Sequence, residues 1–355
     1  MYDVITIGTA TRDVFLQSPA FKPVKDPHFT SVAGFPSGEA ECFALGKKIE
    51  IAAPVFTTGG GSTNSAVTFA RQGFQTAAVI SLGKDETSKD VLADLKREHI
   101  KPLVGYAKDL HTAYSTILLS ETGERTILVY RGAADYLGRV ALPKLHAKAV
   151  YIAPGAIPVE RMQRFVDHFH AQGALIAMNP SGYYVKLGVQ AMRPILEKLD
   201  VVIVNREEAA TMTGKPFEDE KAIFKAFDEV VPGIAVMTDG PRGVTVSDGK
   251  TLYKSGIFSE QKLIDRTGAG DAFGSGFVAG LLRAERLGFS VQGLENNSSA
   301  TNRYTLDAIR YAIRLGSANA TSVVEYIGAK EGILTRGRFE TEQRWKNFDV
   351  SIQGL

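Results

Sequence analysis

The run Asp265-Arg266-Thr267-Gly268-Ala269-Gly270-Asp271 leads directly into Ala272-Phe273-Gly274-Ser275-Gly276-Phe277. Phe273, Phe277, Val278, Leu281 and Leu282 recur at helical spacing, so a helix with a buried face is expected to begin in the Gly-Ala-Gly turn. The first amides of such a helix lack intrahelical partners and stand at the positive end of its dipole, so they can receive a phosphoryl group. A carboxylate is ill suited to binding an anion and well suited to taking a proton from a hydroxyl beside one. Together these features point to phosphoryl transfer to an alcohol, with Asp271 as base and Gly268, Ala269 and Gly270 as amide donors. The alternative is that Asp271 merely caps the helix behind a tight turn.

Other polar residues sit beside glycines or at the ends of strand-like runs. Gly59-Gly60-Gly61-Ser62-Thr63-Asn64 lets backbone approach a ligand closely, and Asn64 can both donate and accept. The segment is neither GxxxxGK[ST] nor GxGxxG, so it marks neither a P-loop nor a dinucleotide site. On its own it reads equally as a helix start capped by Ser62 or Thr63. Asp13 follows the first strand and, on its own, is an ordinary surface acid. Asn205-Arg206-Glu207-Glu208 is a charged first turn favoured by a helix dipole, and Thr238-Asp239-Gly240-Pro241-Arg242-Gly243 is a turn between two strands.

The elements that must position these residues follow from periodicity. Strand-like runs at 4–7, 76–81, 149–152, 174–178, 201–204, 234–238 and 243–247 alternate with helical patterns at 64–72, 89–98, 159–170, 206–213 and 221–230. This rhythm predicts an α/β fold, a largely parallel sheet covered by helices on both faces. Ligands on such sheets gather at the carboxyl ends of the strands. Gly8, Asn205, Asp239 and the 265–271 turn should therefore converge on one edge. Two stretches break the rhythm. Residues 15–56 carry Pro19, Pro23, Pro27, Pro36 and Pro54 among short strand-like pieces, and 112–129 alternates as a hairpin with 121–124 as its turn. Floppy surface loops are the alternative for both. Residues 293–303 read as a polar exposed loop between two helices, and nothing after Leu334 suggests an element.

A chain of 355 residues suits one large α/β domain, and 44% hydrophobic with 23% charged residues is an ordinary globular composition. Forty-one basic against 39 acidic side chains leave +2, too weak a field to point to nucleic acid or an anionic membrane. The first eight residues read as a strand rather than a leader, and no run approaches a membrane span. The single cysteine, Cys42, excludes an internal disulfide and suits a reducing cytoplasm. The histidines form no HExxH, and His168 and His170 lie in a helical pattern that suits surface or packing roles.

Asp-x-Thr-Gly-Ala-Gly-Asp-Ala-Phe resembles the C-terminal signature of the ribokinase-like (PfkB) family of sugar and nucleoside kinases, with Arg266 where Thr, Pro, Val or Ser is usual. The resemblance covers residues 1–334 and rests on five elements in the same order. It implies a three-layer ribokinase-like α/β fold with a central, mostly parallel sheet flanked by helices. The kinase core would comprise 1–14, 57–111 and 130–334, with 15–56 and 112–129 as a small β lid and 335–355 as a C-terminal tail. It implies that Asp271 is the base over the Gly268, Ala269 and Gly270 anion hole, and that Asp13, Gly60, Gly61 and Asn64 hold sugar hydroxyls. Arg131, in a Tyr-Arg pair found in some relatives that take fructose or acidic sugars, would suit a carboxylate or phosphate on the acceptor. Asn205 and Glu208 would orient the water shell of Mg²⁺, which needs few direct ligands; Thr238, Gly240, Gly243 and Asn319 would meet ATP. Asp265, Thr267 and the Gly-Ala loop at 327–332 would hold K⁺ in potassium-activated members, although Gly332 stands where a Ser is common. The expected activity is ATP-dependent phosphorylation of a hydroxymethyl group on a sugar or sugar-like molecule, in the cytoplasm, with a homodimer through the lid as one arrangement. A nucleoside kinase and a non-catalytic sugar-binding module are the rival readings.

Overall fold

Strands that are apolar on both faces need cover on both, and the chain supplies it by alternating them with helices. The computed structural model describes residues 1–26, 39–120, 125–137, 140–289 and 304–355. The expected 121–124 turn, the 293–303 loop, and Phe29, Val32 and Phe35 of the first insertion lie outside the described residues. Strands β1 (Tyr2–Gly8), β6 (Thr76–Leu82), β7 (Lys101–Tyr106), β10 (Ala147–Ala153), β11 (Leu175–Met178), β12 (Val201–Asn205) and β13 (Ile234–Thr238) form a parallel sheet in the order β7-β6-β1-β10-β11-β12-β13. Antiparallel β14 (Val244–Ser247), β15 (Thr251–Ser255) and β16 (Ser351–Gly354) extend it past β13.

Alternate residues of each strand enter different cores. Ile5, Ile7, Val150, Ile152, Val202 and Val204 face α3 (Val159–His170), α4 (Gly182–Leu196), α5 (Arg206–Thr213) and α6 (Glu220–Asp228). Val4, Ala149, Tyr151, Val201 and Ile203 face α7 (Ala269–Arg286) and α8 (Leu306–Val323). Helices α1 (Gly61–Arg71) and α2 (Glu86–Arg97) close a third cluster over Ala78, Ile80 and Leu82 of β6.

The two irregular insertions meet in a second sheet, β5-β2-β8-β9, from β5 (Val55–Gly59), β2 (Thr11–Gln17), β8 (Ala113–Leu119) and β9 (Arg125–Tyr130). They are strands, not loops. The sheet starts already at Thr11 and runs to Gly59, so Asp13 lies within it and not in the core strand that precedes it. A ribbon of β3 (Pro23–Lys25) and β4 (Glu39–Glu41) stands apart from it.

The segment 335–355, expected as a tail outside the core, packs into it instead. It contains α9 (Arg336–Thr341) and β16. Phe339 and Trp345 are fully buried, and Phe258 stacks on Phe348 with ring centroids 4.2 Å apart. The burial of these aromatic rings against α8 and β15 offsets the cost of ordering a polar segment.

Candidate active site

The strand order reverses at β1, which has β6 on one side and β10 on the other. A crevice at the carboxyl ends of the strands is expected at such a point. Helices α1 and α7 both begin there, and their first turns meet: Asn64 Nδ2 donates to Asp271 Oδ2 at 2.9 Å. The α1 start is held by the Gly61 N–H, which donates to Thr9 Oγ1 at 2.9 Å just beyond β1, while Gly60 takes φ 95°. Asp271 is not the helix cap. That position is Gly268, in a left-handed conformation, and the Asp271 carboxylate points to Asn64. Burial pushes the Asp271 carboxyl above its ordinary range, while the Asn64 bond and the charge of Lys330 pull it back. Of the turn's three amides, Ala269 N–H reaches back to Arg266 O at 3.3 Å, a long bond. The amides of Gly268 and Gly270 precede any intrahelical partner.

The turn itself rests on Asp265, which is 1% exposed. Its Oδ1 accepts from Thr267 N–H and Oγ1–H at 2.9 and 2.7 Å, and its Oδ2 accepts from Gly328 N–H at 3.0 Å. A Cβ on Gly268, at φ 81°, would run into Ala329 of the neighbouring 327–332 loop. Only glycine fits that approach. Arg266, the departure from the family signature, is exposed.

On the lid side, Asp13 is 7% exposed, accepts from Thr11 Oγ1–H at 2.9 Å, and is pushed up by burial against the hydrogen bonds of Thr11 and Ser115 and the charges of Lys330 and Arg12. Gly59, opposite Thr11 in the lid, makes room for its carboxylate: a Cβ there would overlap Oδ2. Arg131 lies just past β9, its side chain 66% exposed and 3.9 Å from Asp135. Asp85 caps α2 through Ser88 N–H at 2.9 Å and ties down Thr112.

At the ends of β12 and β13 the arrangement is tighter than spacing suggested. Asn205 and Glu208 form a capping box: Asn205 Oδ1 accepts from Glu208 N–H at 2.8 Å, and Glu208 Oε2 from Asn205 N–H at 2.9 Å. Burial raises the Glu208 carboxyl, the Asn205 N–H lowers it, and Glu207 raises it further. Thr238 ends β13 in a hairpin with β14, closed by a 3₁₀ turn at Gly240–Arg242, with Gly243 at φ 95°. Asp239 receives Arg242 at 2.9 and 2.6 Å and Arg206 at 3.1 Å, which hold its carboxyl below the usual range and tie the hairpin to α5. Among the described residues no cluster of three or more His, Cys, Asp and Glu side chains could hold a metal.

Asn319, expected on the nucleotide side, is 0% exposed and its carboxamide is engaged on both sides. Nδ2 donates to Ala272 O at 2.8 Å and Thr68 Oγ1 at 3.2 Å, and Oδ1 accepts from Leu334 N–H at 2.9 Å. It joins α8, α7 and α1. Lys330, by contrast, was overlooked. It is buried between the lid root and α2, and its only sequence signal was a lone cation in the otherwise small Gly-Ala-Lys run.

Comparison with known proteins accords with this geometry. The chain is 28% identical over 248 residues to a cytidine kinase of Thermococcus kodakarensis, covering 67% of this chain and 85% of that protein. It is 25% identical over 287 residues to a ribokinase of Haemophilus influenzae, covering 78% and 84%. The structure of ribokinase from Giardia lamblia superposes with a TM-score of 0.74 at 20% identity, over 96% of this chain and 99% of that one, so the fold is the ribokinase-like one with its small lid sheet. No helix among the described residues is long and apolar enough to cross a membrane. A family model described as pfkB family carbohydrate kinase matches residues 37–336, and the chain belongs to that family of phosphotransferases acting on alcohol groups.

Proposed function

We propose that the protein transfers the γ-phosphate of ATP to a hydroxymethyl group of a sugar or sugar-like acceptor, with Asp271 as general base. The observation that carries this reading is the Asn64–Asp271 hydrogen bond at the start of α7. It puts an acceptor-side amide and a carboxylate together beside unpaired first-turn amides, the set that in-line attack on a phosphoryl group needs. In this reading Asp13, Gly60 and Asn64 hold acceptor hydroxyls, and Asp271 takes the proton of the attacking one. The amides of Gly268 and Gly270 stabilise charge on the equatorial oxygens, with Ala269 joining as its long bond to Arg266 yields.

Thr238, Gly240 and Gly243 line the nucleotide side, with Asn205. Mg²⁺ would be held through its waters by Glu208, whose carboxylate is a hard oxygen donor already oriented by the capping box, and would neutralise phosphate charge. K⁺ would be held at Asp265 and Thr267, where both Asp265 oxygens also accept protein hydrogen bonds. Titrating potassium into the rate assay tests it. Strand β9 is exposed along its whole length, with Ile127, Leu128, Val129 and Tyr130 uncovered, which supports a homodimer through the lid; sedimentation of the protein in the analytical ultracentrifuge tests it.

A nucleoside acceptor is the second reading, favoured by the similarity to a cytidine kinase and by the exposed aromatic rings of Phe56, Tyr114 and Tyr130 on the lid. The deciding experiment reads ADP release with ATP over sugars, sugar acids, sugar phosphates and nucleosides. Turnover of a sugar or sugar acid far above nucleosides is expected, Arg131 favouring an acidic group; preference for a nucleoside would replace the first reading by the second.

A further inference from the structure

Lys330 is 6% exposed, sits on the loop that supports the anion-hole turn, and acts on Asp13 and Asp271 through its charge. Its Nζ donates to Thr58 Oγ1 at 2.7 Å and to Asp94 Oδ2 at 2.9 Å, and the Thr58 hydroxyl in turn donates to Asp94. Three segments distant in sequence are thereby joined: lid strand β5, helix α2 and the 327–332 loop. Thr58 lies between Thr57, the cross-strand partner of Asp13, and Gly59, on which the Asp13 carboxylate packs. On the other side, Gly328 binds Asp265 and Ala329 abuts Gly268. Whatever moves Lys330 therefore moves the acceptor carboxylate and the phosphoryl cradle together.

Its charge also has somewhere to go. Asp94 is shared between Lys330 and Arg97, so it does not cancel both cations. Glu98 is engaged by Arg71 at 2.8 Å, and Arg12 by Asp90 at 3.2 Å. Burial lowers the Lys330 pKa while Asp94, Asp13 and Glu98 hold it up, and the charge they sustain draws Asp13 and Asp271 towards the ionised form. Arg12, Thr58, Asp94, Arg97 and Lys330 line one cavity of about 400 Å³, and Glu331 lines it too, from Lys330's own loop.

We propose that Lys330 is a positioning residue for phosphoryl transfer, pinning the root of the lid to the anion-hole loop and giving both site carboxylates a fixed positive neighbour. The inference rests on the reading of Asp13 as acceptor ligand and Asp271 as base.

Lys330→Met, Lys330→Arg and Thr58→Val separate the two parts. Each is measured with ATP and the best acceptor of the panel, as kcat and kcat/KM against pH, with thermal melting and ATP calorimetry as controls. Lys330→Met is expected to lower kcat/KM about tenfold or more. It should also move the acid limb upward by roughly half a pH unit or more, because removing a cation raises the carboxyl pKa values. Lys330→Arg should restore the acid limb without the full rate, as it keeps the charge and changes the shape. Thr58→Val keeps the charge and cuts the lid contact, so acceptor KM should rise about 3–10-fold with the acid limb in place.

A folded Lys330→Met with wild-type kcat/KM and an unmoved acid limb overturns the proposal. Should that variant not fold, an unchanged acceptor KM in Thr58→Val overturns the lid tie, and a shifted acid limb in Lys330→Arg overturns the charge. Full turnover in Asp271→Asn would instead remove the base assignment on which the inference rests; an inactive Asp271→Asn beside a fully active Lys330→Met would remove this inference alone.

Discussion

Replacing Asp271 by asparagine exchanges one carboxylate oxygen for an amide nitrogen and removes one charge, and the surroundings allow that change to be isolated. The carboxylate accepts from Asn64 Nδ2 at 2.9 Å, while Asn64 Oδ1 is buried without a hydrogen-bond partner. A half-turn of the Asn64 amide would present Oδ1 to the new amide nitrogen and keep the contact. The anion-hole amides belong to the backbone and stay where they are. What is lost is the proton acceptor, about 10²–10⁴ in kcat, or roughly 3–5 kcal/mol of barrier. Stability should move the other way. Burial raises the Asp271 carboxyl, so the folded protein holds a proton there more tightly than the unfolded chain does, and ionising it costs stability. A neutral amide removes that cost, and melting near pH 7 should rise by about 1–3 °C. The assay is ADP release with the best acceptor, beside calorimetric ATP affinity and scanning calorimetry. A near wild-type kcat would refute the base; a collapsed ATP affinity with lower melting temperature would show that the carboxylate was structural.

Gly59→Ala should raise acceptor KM about tenfold, leaving ATP KM steady, because the added methyl overlaps the Asp13 carboxylate; an unmoved acceptor KM would remove Asp13 from the acceptor site. Trp345→Ala should cost about 3–5 kcal/mol in denaturant unfolding, since the ring is fully buried between Phe258 and the C-terminal segment; a cost under about 1 kcal/mol would contradict that packing. The Asp228 carboxyl is pushed up to about 6 by burial, against its bond from Ser247 and with help from Asp248. The folded state thus binds its proton more tightly than the unfolded chain, and wild-type stability should fall as pH rises from about 4 to 6. Asp228→Asn should therefore gain of order 1–3 kcal/mol above pH 6 and nothing near pH 4, followed by urea unfolding at both pH values; equal effects at both would contradict the burial argument.

The parallel core was legible because its strands, Val201–Asn205 among them, are apolar on both faces and leave continuous runs. Helix α4 was not, because Gly188 at φ 76° and Pro194 interrupt its periodicity. Strand β16 was invisible for a different reason: Ser-Ile-Gln-Gly has no pattern of its own and is ordered by pairing with β15. At the site, residue types singled out Asp271 and Asn64, while their contact depended on two helices meeting in space. The bracing contacts of Asn319 were not legible, because a polar side chain on an apolar helix face suits ligand and brace alike and only its burial shows the packing. The Lys330 ammonium looked like any loop lysine until its burial beside Asp94 was seen.

The Asn64–Asp271 hydrogen bond spans 207 residues of chain. A carboxylate that owes its orientation to so distant a segment is not set by either half of the chain alone. Asn64 is synthesised long before Asp271, so the pair forms only once α7 has been made, and any opening that parts α1 from α7 undoes it without unwinding either helix.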